Sequence, residues 1–105
     1  GKVKITYVTN ESCTECFNVT QLKASFQSLG VYFDSESYVD VSSEEGKNLL
    51  KEYNITAIPT VILSEEISDY TTLKKLLEGV GSFIGEEYVF RKLDALNVKY
   101  QELSK

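Results

Sequence analysis

Apolar and polar residues alternate through Val3, Ile5 and Tyr7 between positions 2 and 8, the period of a strand with one buried face. The polar run Thr9-Asn10-Glu11-Ser12 ends it. From Cys13 to Leu29 the period changes. Cys16, Phe17, Val19, Leu22, Phe26 and Leu29 recur at spacings of three and four, and Gly30 stands where a C-cap belongs. This predicts an amphipathic helix over 13–29. Ser12 and Glu15 have the spacing of a capping box, which would start that helix at the first cysteine.

Tyr38-Val39-Asp40-Val41 predicts a short strand, and Ser42 with Glu45 repeats the capping-box spacing ahead of a second helix. Leu49, Leu50 and Tyr53 give that helix its apolar face, and Asn54 is its expected stop. Thr60-Val61-Ile62-Leu63 is an apolar, largely β-branched run of the kind found in a central strand. The order so far is βαβαβ, which implies a mixed or parallel sheet with helices packed on it. Beyond Ser64, Leu73, Leu76 and Leu77 predict a further helix that ends near Gly79. Val80 to Ile84 and Tyr88 to Phe90 predict an antiparallel hairpin turned by Gly85-Glu86-Glu87. Leu93, Leu96, Tyr100 and Leu103 predict a short terminal helix with Asn97 inside it. The expected fold class is therefore α/β: a central mixed sheet with an extra helical segment, a late β-hairpin and a short C-terminal helix, flanked by helices.

Composition narrows the function more than the fold. At 105 residues, 42 % hydrophobic and 26 % charged, the chain suits one ordinary globular domain over 1–105 with a single core. Eleven basic against sixteen acidic residues leave a net charge of −5, which opposes binding to nucleic acid or to an anionic membrane. Histidine is absent, which removes His–Cys dyads, His metal ligands and imidazole bases. No run approaches the roughly 18 to 20 apolar residues of a membrane span, so direct membrane insertion is not expected. The chain starts two residues from a strand, as an excised domain would, and the expected location is accordingly extracytoplasmic or membrane-tethered. A monomer without cofactor is expected.

The candidate chemistry lies in Cys13-Thr14-Glu15-Cys16. Cysteines two residues apart can close a disulfide within one helical turn, and a helix N-terminus there would favour the thiolate. The carboxylate of Glu15 opposes a second negative charge nearby, so the gain for the Cys13 thiolate is expected to be modest. Other readings of the pair stay open. A purely structural bridge closes too small a loop to stabilise much by chain entropy. Zinc wants four ligands, so this chain would need carboxylates or a second subunit, and a [2Fe–2S] cluster bridging a dimer has the same stoichiometry.

A strand leading into CxxC at a helix start, then strand, helix and Ile58-Pro59-Thr60 before another strand, closely resembles the thioredoxin superfamily over residues 2 to 64. The resemblance implies a thioredoxin-like fold in which Cys13 is the nucleophile, Cys16 the resolving cysteine and Pro59 a cis-proline facing the disulfide. It further implies that the backbone of Ile58 pairs with an extended substrate beside Cys13, and that the domain is a thiol–disulfide oxidoreductase acting on a protein partner. Val80-Gly81-Ser82-Phe83-Ile84-Gly85 is similar to the family's late strand with its glycine close to the active site.

The departures are as informative. Glu11-Ser12 stands where thioredoxins commonly carry Trp and a small residue, Thr14-Glu15 replaces Gly-Pro, and Tyr7 takes the place of a buried aspartate. The segment 65–78 replaces a tight hairpin. Ser12 and Thr14 therefore join Ile58 and Pro59 as candidate substrate contacts. Glu15 is a candidate proton relay for Cys16, a residue that helix capping alone also explains. Pro59 could instead be a trans proline that starts a strand. Two other functions fit the same residues: a redox-inert module that holds extended peptides beside Pro59, and a dimeric metal-binding protein.

Overall fold

The computed structural model describes residues 2–13, 16, 18–55, 57–85, 87–91 and 101–102. Strand β1 (Lys2–Thr9) leads to helix α1 (Thr20–Ser28), strand β2 (Tyr32–Asp40) and helix α2 (Glu44–Glu52). The two-residue β3 (Ala57–Ile58) precedes β4 (Thr60–Leu63). Two 3-10 turns, Glu65–Asp69 and Thr71–Leu73, then run into helix α3 (Lys74–Val80), β5 (Gly81–Ile84), β6 (Glu87–Phe90) and β7 (Gln101–Glu102).

Five strands form one mixed sheet in the order β2-β1-β4-β6-β5, and β3 pairs with β7 in a separate two-stranded ladder. β1 runs parallel to β2 and antiparallel to β4. The strand alternation sorts side chains into two cores. Val3, Ile5 and Tyr7 of β1 join Val61, Leu63, Tyr88 and Phe90 on the face covered by Leu22 and Phe26 of α1 and Leu77 of α3. Val8, Ile62 and Val89 point the other way, to Tyr53, Ile55 and Ile58, with Leu49 and Leu50 of α2 against them. The result is a helix–sheet–helix sandwich. Its central strand β4 is buried at all four positions, as a strand covered on both faces must be.

Buried polar groups are paired. The Tyr88 hydroxyl donates to the Leu77 carbonyl at 2.7 Å, and the Thr60 hydroxyl to the Phe90 carbonyl at 2.5 Å. Arg91 reaches back across the molecule, donating to the carbonyls of Asn54 and Tyr53 at 2.6 and 2.5 Å and to the Ser82 hydroxyl at 2.9 Å. Its charge thereby sits at the C-terminal end of α2, where a cation suits the helix dipole.

Several expectations need correction. β2 begins at Tyr32 rather than Tyr38, because an edge strand can leave Ser35, Glu36 and Ser37 exposed and still pair with β1 along its length. The cap of α2 is Ser43, whose hydroxyl accepts from the Gly46 N–H at 3.0 Å; Ser42 is engaged elsewhere. Asn54 does stop that helix, with a φ of 52°. α3 is seven residues long and ends at Val80, one residue later than expected. The hairpin β5–β6 is antiparallel and turns at Gly85, whose φ of 66° favours glycine. The expected terminal helix falls mostly on 92–100, outside the described residues, but Gln101 and Glu102 form a strand rather than a helix.

Gly46 offers a sharp test of the packing. A Cβ there would collide with the carbonyl oxygen of Asp40 and the Cα of Val41, both backbone atoms that cannot step aside. Helix propensity alone favours alanine over glycine by about 1 kcal/mol. We expect the collision to dominate, so that Gly46→Ala costs roughly 1–3 kcal/mol in urea unfolding; a raised midpoint would show that α2 does not lie this close to the end of β2.

Candidate functional site

β1 ends at Thr9, and the next residues carry the cysteines. Pairing of Val8 with Thr60 brings this end of β1 to the start of β4, beside Pro59. The Ile58–Pro59 peptide bond is cis. Cys13 and Cys16 are joined as a disulfide with Cα atoms 5.5 Å apart, and both residues are half-buried. They line one side of a cleft of about 170 Å³ that Pro59, Tyr38 and the start of α1 at Val19 and Thr20 complete. That is small beside the roughly 300–1,000 Å³ of a typical small-molecule pocket. It suits contact with a chain segment better than enclosure of a free metabolite.

The loop is held by a repeated local device. Asn10 Oδ1 accepts from the Ser12 hydroxyl at 2.6 Å and the Ser12 N–H at 3.2 Å. Asn18 Oδ1 accepts from the Thr20 hydroxyl at 2.7 Å and N–H at 3.1 Å. Asp40 Oδ2 accepts from the Ser42 hydroxyl at 2.5 Å and N–H at 3.0 Å. Each is an Asx residue closing on the Ser or Thr two positions later, so the side chain replaces a backbone turn partner. Backbone bonds finish the work: Cys13 N–H donates to the Asn10 carbonyl at 3.0 Å and Cys16 N–H to the Cys13 carbonyl at 3.4 Å. Asp40 also ties the loop to β2, accepting from the Glu11 N–H at 2.8 Å.

These turns correct the sequence expectation for α1. The described helix starts at Thr20, seven positions after Cys13, because Asn18 rather than Ser12 closes on its first turn. The Ser12 hydroxyl donates to Asn10, and Glu15, the other member of the predicted capping box, lies outside the described residues. Charge stabilisation from this helix end falls off within about a turn and centres on Thr20 rather than on Cys13. Ser12 is exposed and lies outside the cleft lining, whereas Pro59 is part of it. Ile58 is fully buried, with its side chain in the α2-side core. Thr14 and Glu15 lie outside the described residues.

Tyr7 is fully buried and stacks on Tyr38 with ring centroids 4.7 Å apart. Its hydroxyl donates to Glu36 at 2.6 Å, and Lys23 completes an ion pair with Glu36 at 3.0 Å. Burial first, and then the adjoining carboxylate, push the Tyr7 phenol well above its ordinary value. The same hydrogen bond draws Glu36 below the usual carboxylate range, with Lys23 adding to it. Tyr7 thus supports Tyr38, an exposed wall of the cleft that the sequence pattern marks only as part of a strand. Asn10, Asn18 and Asp40 were also missed. Their signal was present as Asn-x-Ser, Asn-x-Thr and Asp-x-Ser, each an Asx-turn sequence.

No protein-family model, curated protein or solved structure matches this chain. Fold and site define a small α/β domain with a CxxC-spaced disulfide at the end of an inner sheet strand. Among the described residues no group of three His, Cys, Asp or Glu side chains could hold a metal ion, and no helix is long and apolar enough to cross a membrane.

Asp40 gives the site a pH signature. Its hydrogen bonds, first from Ser42 and then from Glu11 and Thr9, hold its carboxyl below the ordinary value near 3.8. The folded value is depressed, so this stabilisation is present above the unfolded value and is lost as pH falls through the folded one. Asp40→Asn should therefore flatten part of the acid limb of the thermal-stability profile below about pH 4. An unchanged acid limb would mean that Asp40 does not hold the cysteine loop through its charge.

Proposed function

We propose that this domain is a thiol–disulfide oxidoreductase that acts on a protein partner through Cys13 and Cys16. The observation that carries this reading is the half-buried Cys13–Cys16 disulfide sharing a shallow cleft with Pro59. A disulfide over four residues adds little stability by restraining the unfolded chain, which leaves exchange chemistry as the better reason for it.

In the reducing direction the Cys13 thiolate attacks one sulfur of a partner disulfide. A Cys13–partner bond forms and the partner's other sulfur leaves as a thiolate. The Cys16 thiolate then attacks the Cys13 sulfur, restoring the Cys13–Cys16 bond and expelling the second partner thiolate. The partner gains two electrons, the cysteine pair loses two, and solvent supplies and takes up the protons. The oxidising direction is the same sequence reversed. Assignment of Cys13 as nucleophile follows the thioredoxin resemblance, in which the first cysteine attacks. Ile58 and Pro59 supply the adjoining partner contact, with Thr14 beside the sulfurs in sequence.

A redox-inert peptide-binding module is the second reading, favoured by the ability of the Ala57–Ile58 edge to accept a strand. Insulin reduction by dithiothreitol separates the two. The oxidoreductase reading expects the wild-type chain to accelerate insulin precipitation, Cys13→Ser to lose at least about 90 % of that acceleration, and Cys16→Ser to accumulate a mixed disulfide through Cys13. No acceleration by the wild type would favour the inert module, and activity retained in Cys13→Ser would remove the assigned nucleophile.

A further inference from the structure

Three of the chain's five asparagines stand two places before a hydroxyl residue: Asn10-Glu11-Ser12, Asn18-Val19-Thr20 and Asn54-Ile55-Thr56. None has proline between, so each has the Asn-x-Ser/Thr form that N-glycosylation requires. With Ser and Thr at 19 of 105 positions, about one such match is expected by chance among five asparagines. All three lie on turns: Asn10 just after β1, Asn18 just before α1, and Asn54, with its φ of 52°, just after α2. Asn48, which has no hydroxyl residue two places on, lies inside α2. Asn18 and Asn54 are exposed, and Asn10 is half-buried.

We propose that Asn18 and Asn54 are acceptor sites for N-linked glycans. The co-reactant is an oligosaccharide carried on a polyprenyl pyrophosphate, brought to the asparagine by a membrane-bound transferase. The Asn Nδ2 forms a bond to the anomeric carbon of the first sugar, and the carbon–oxygen bond to the pyrophosphate breaks. The lipid pyrophosphate leaves, the amide gives up one proton to the transferase, and nothing is oxidised or reduced. At Asn18 the turn uses the other end of the amide: Oδ1 accepts from the Thr20 hydroxyl at 2.7 Å and from its N–H at 3.1 Å. The amide and the hydroxyl that define the acceptor are therefore already side by side. At Asn54 it is the backbone carbonyl that Arg91 takes, at 2.6 Å, while the residue stands exposed at the end of α2. Bulky, water-seeking sugars displace no core packing at such positions, whereas half-buried Asn10 offers less room. Acceptor asparagines of this kind belong to surface loops of secreted proteins, a setting in which disulfides also persist. Glycosylation does not depend on what the cysteines do, although Asn18 lines their cleft and its sugar would border the same opening.

The test is made on the full chain, purified from the cells that make it and, separately, secreted from yeast behind a signal sequence. Peptides spanning residues 18 and 54 are mapped by mass spectrometry before and after peptide-N-glycosidase, which releases the sugar. Expected is sugar on both residues in both preparations, with Asn48 unmodified. Two variants secreted from yeast separate the acceptor from the turn. Asn18→Asp keeps a turn of the kind Asp40 closes on Ser42 but has no amide to glycosylate, and Thr20→Ala removes the required hydroxyl. Each should lose the glycan at residue 18 and keep the one at residue 54, while Thr20→Ser retains both; circular dichroism establishes that each variant folds. A native protein carrying no sugar, or sugar on Asn10 alone, would overturn the proposal and leave Asn18-Val19-Thr20 as a turn and nothing more. Sugar missing from one of the two residues would overturn the assignment of that residue, and a glycan count unchanged in Asn18→Asp and Thr20→Ala would overturn Asn18.

Discussion

The pairing of β1 with β4 is the constraint on which the rest of the molecule depends. Four consecutive pairs, from Ile5–Leu63 to Val8–Thr60, lock the two inner strands in antiparallel register. A slip of one residue would exchange Tyr7 and Val8 between the two cores, setting a bulky phenol against α2 and opening the α1 side. Register is therefore fixed by burial on both faces. Because β1 leads out to the cysteines and β4 begins just after Pro59, the same register sets disulfide and proline side by side.

The site inherits this rigidity only in part. Strands fix its two ends, while the loop between them is shaped by side chains that imitate backbone turns. Asn10, Asn18 and Asp40 each close on a hydroxyl residue two positions later. Such bonds are worth about 0.5–1.5 kcal/mol apiece, enough to select a loop conformation without fusing it to the core. This division fits exchange chemistry, in which the attacking sulfur must pass between two covalent partners while its surroundings stay put.

Much of the architecture is legible in the sequence wherever burial is regular. Alternation at Val3, Ile5 and Tyr7, the unbroken apolar run Thr60 to Leu63 and the turn residues around Gly85 each mark a strand or hairpin, and the structure places strands at each. α1 starts at Thr20, later than the Ser12–Glu15 spacing predicts, where Asn18 closes on the first turn through an Asx turn that a capping-box pattern does not register. Ser42 and Ser43 are equivalent by composition, and both hydroxyls donate to Asp40, Ser42 to its carboxylate and Ser43 to its carbonyl; Ser43 is the one placed to accept from the Gly46 N–H. β2 was read short because its exposed edge carries no apolar alternation between Phe33 and Tyr38. β7 gave no signal at all: two residues have no period, and their strand conformation comes from the partner they meet.

On the proposed oxidoreductase reading, the cleft shared by the cysteines and Pro59 is where a partner chain meets the reactive sulfur. The most direct test of the central claim is a redox titration of Cys13 and Cys16. The protein would be equilibrated in glutathione buffers of graded potential, quenched by alkylation and weighed by mass spectrometry. The account predicts one reversible transition in which both thiols appear and disappear together. A pair that stays wholly oxidised or wholly reduced across the series, or in which one cysteine changes without the other, would contradict it.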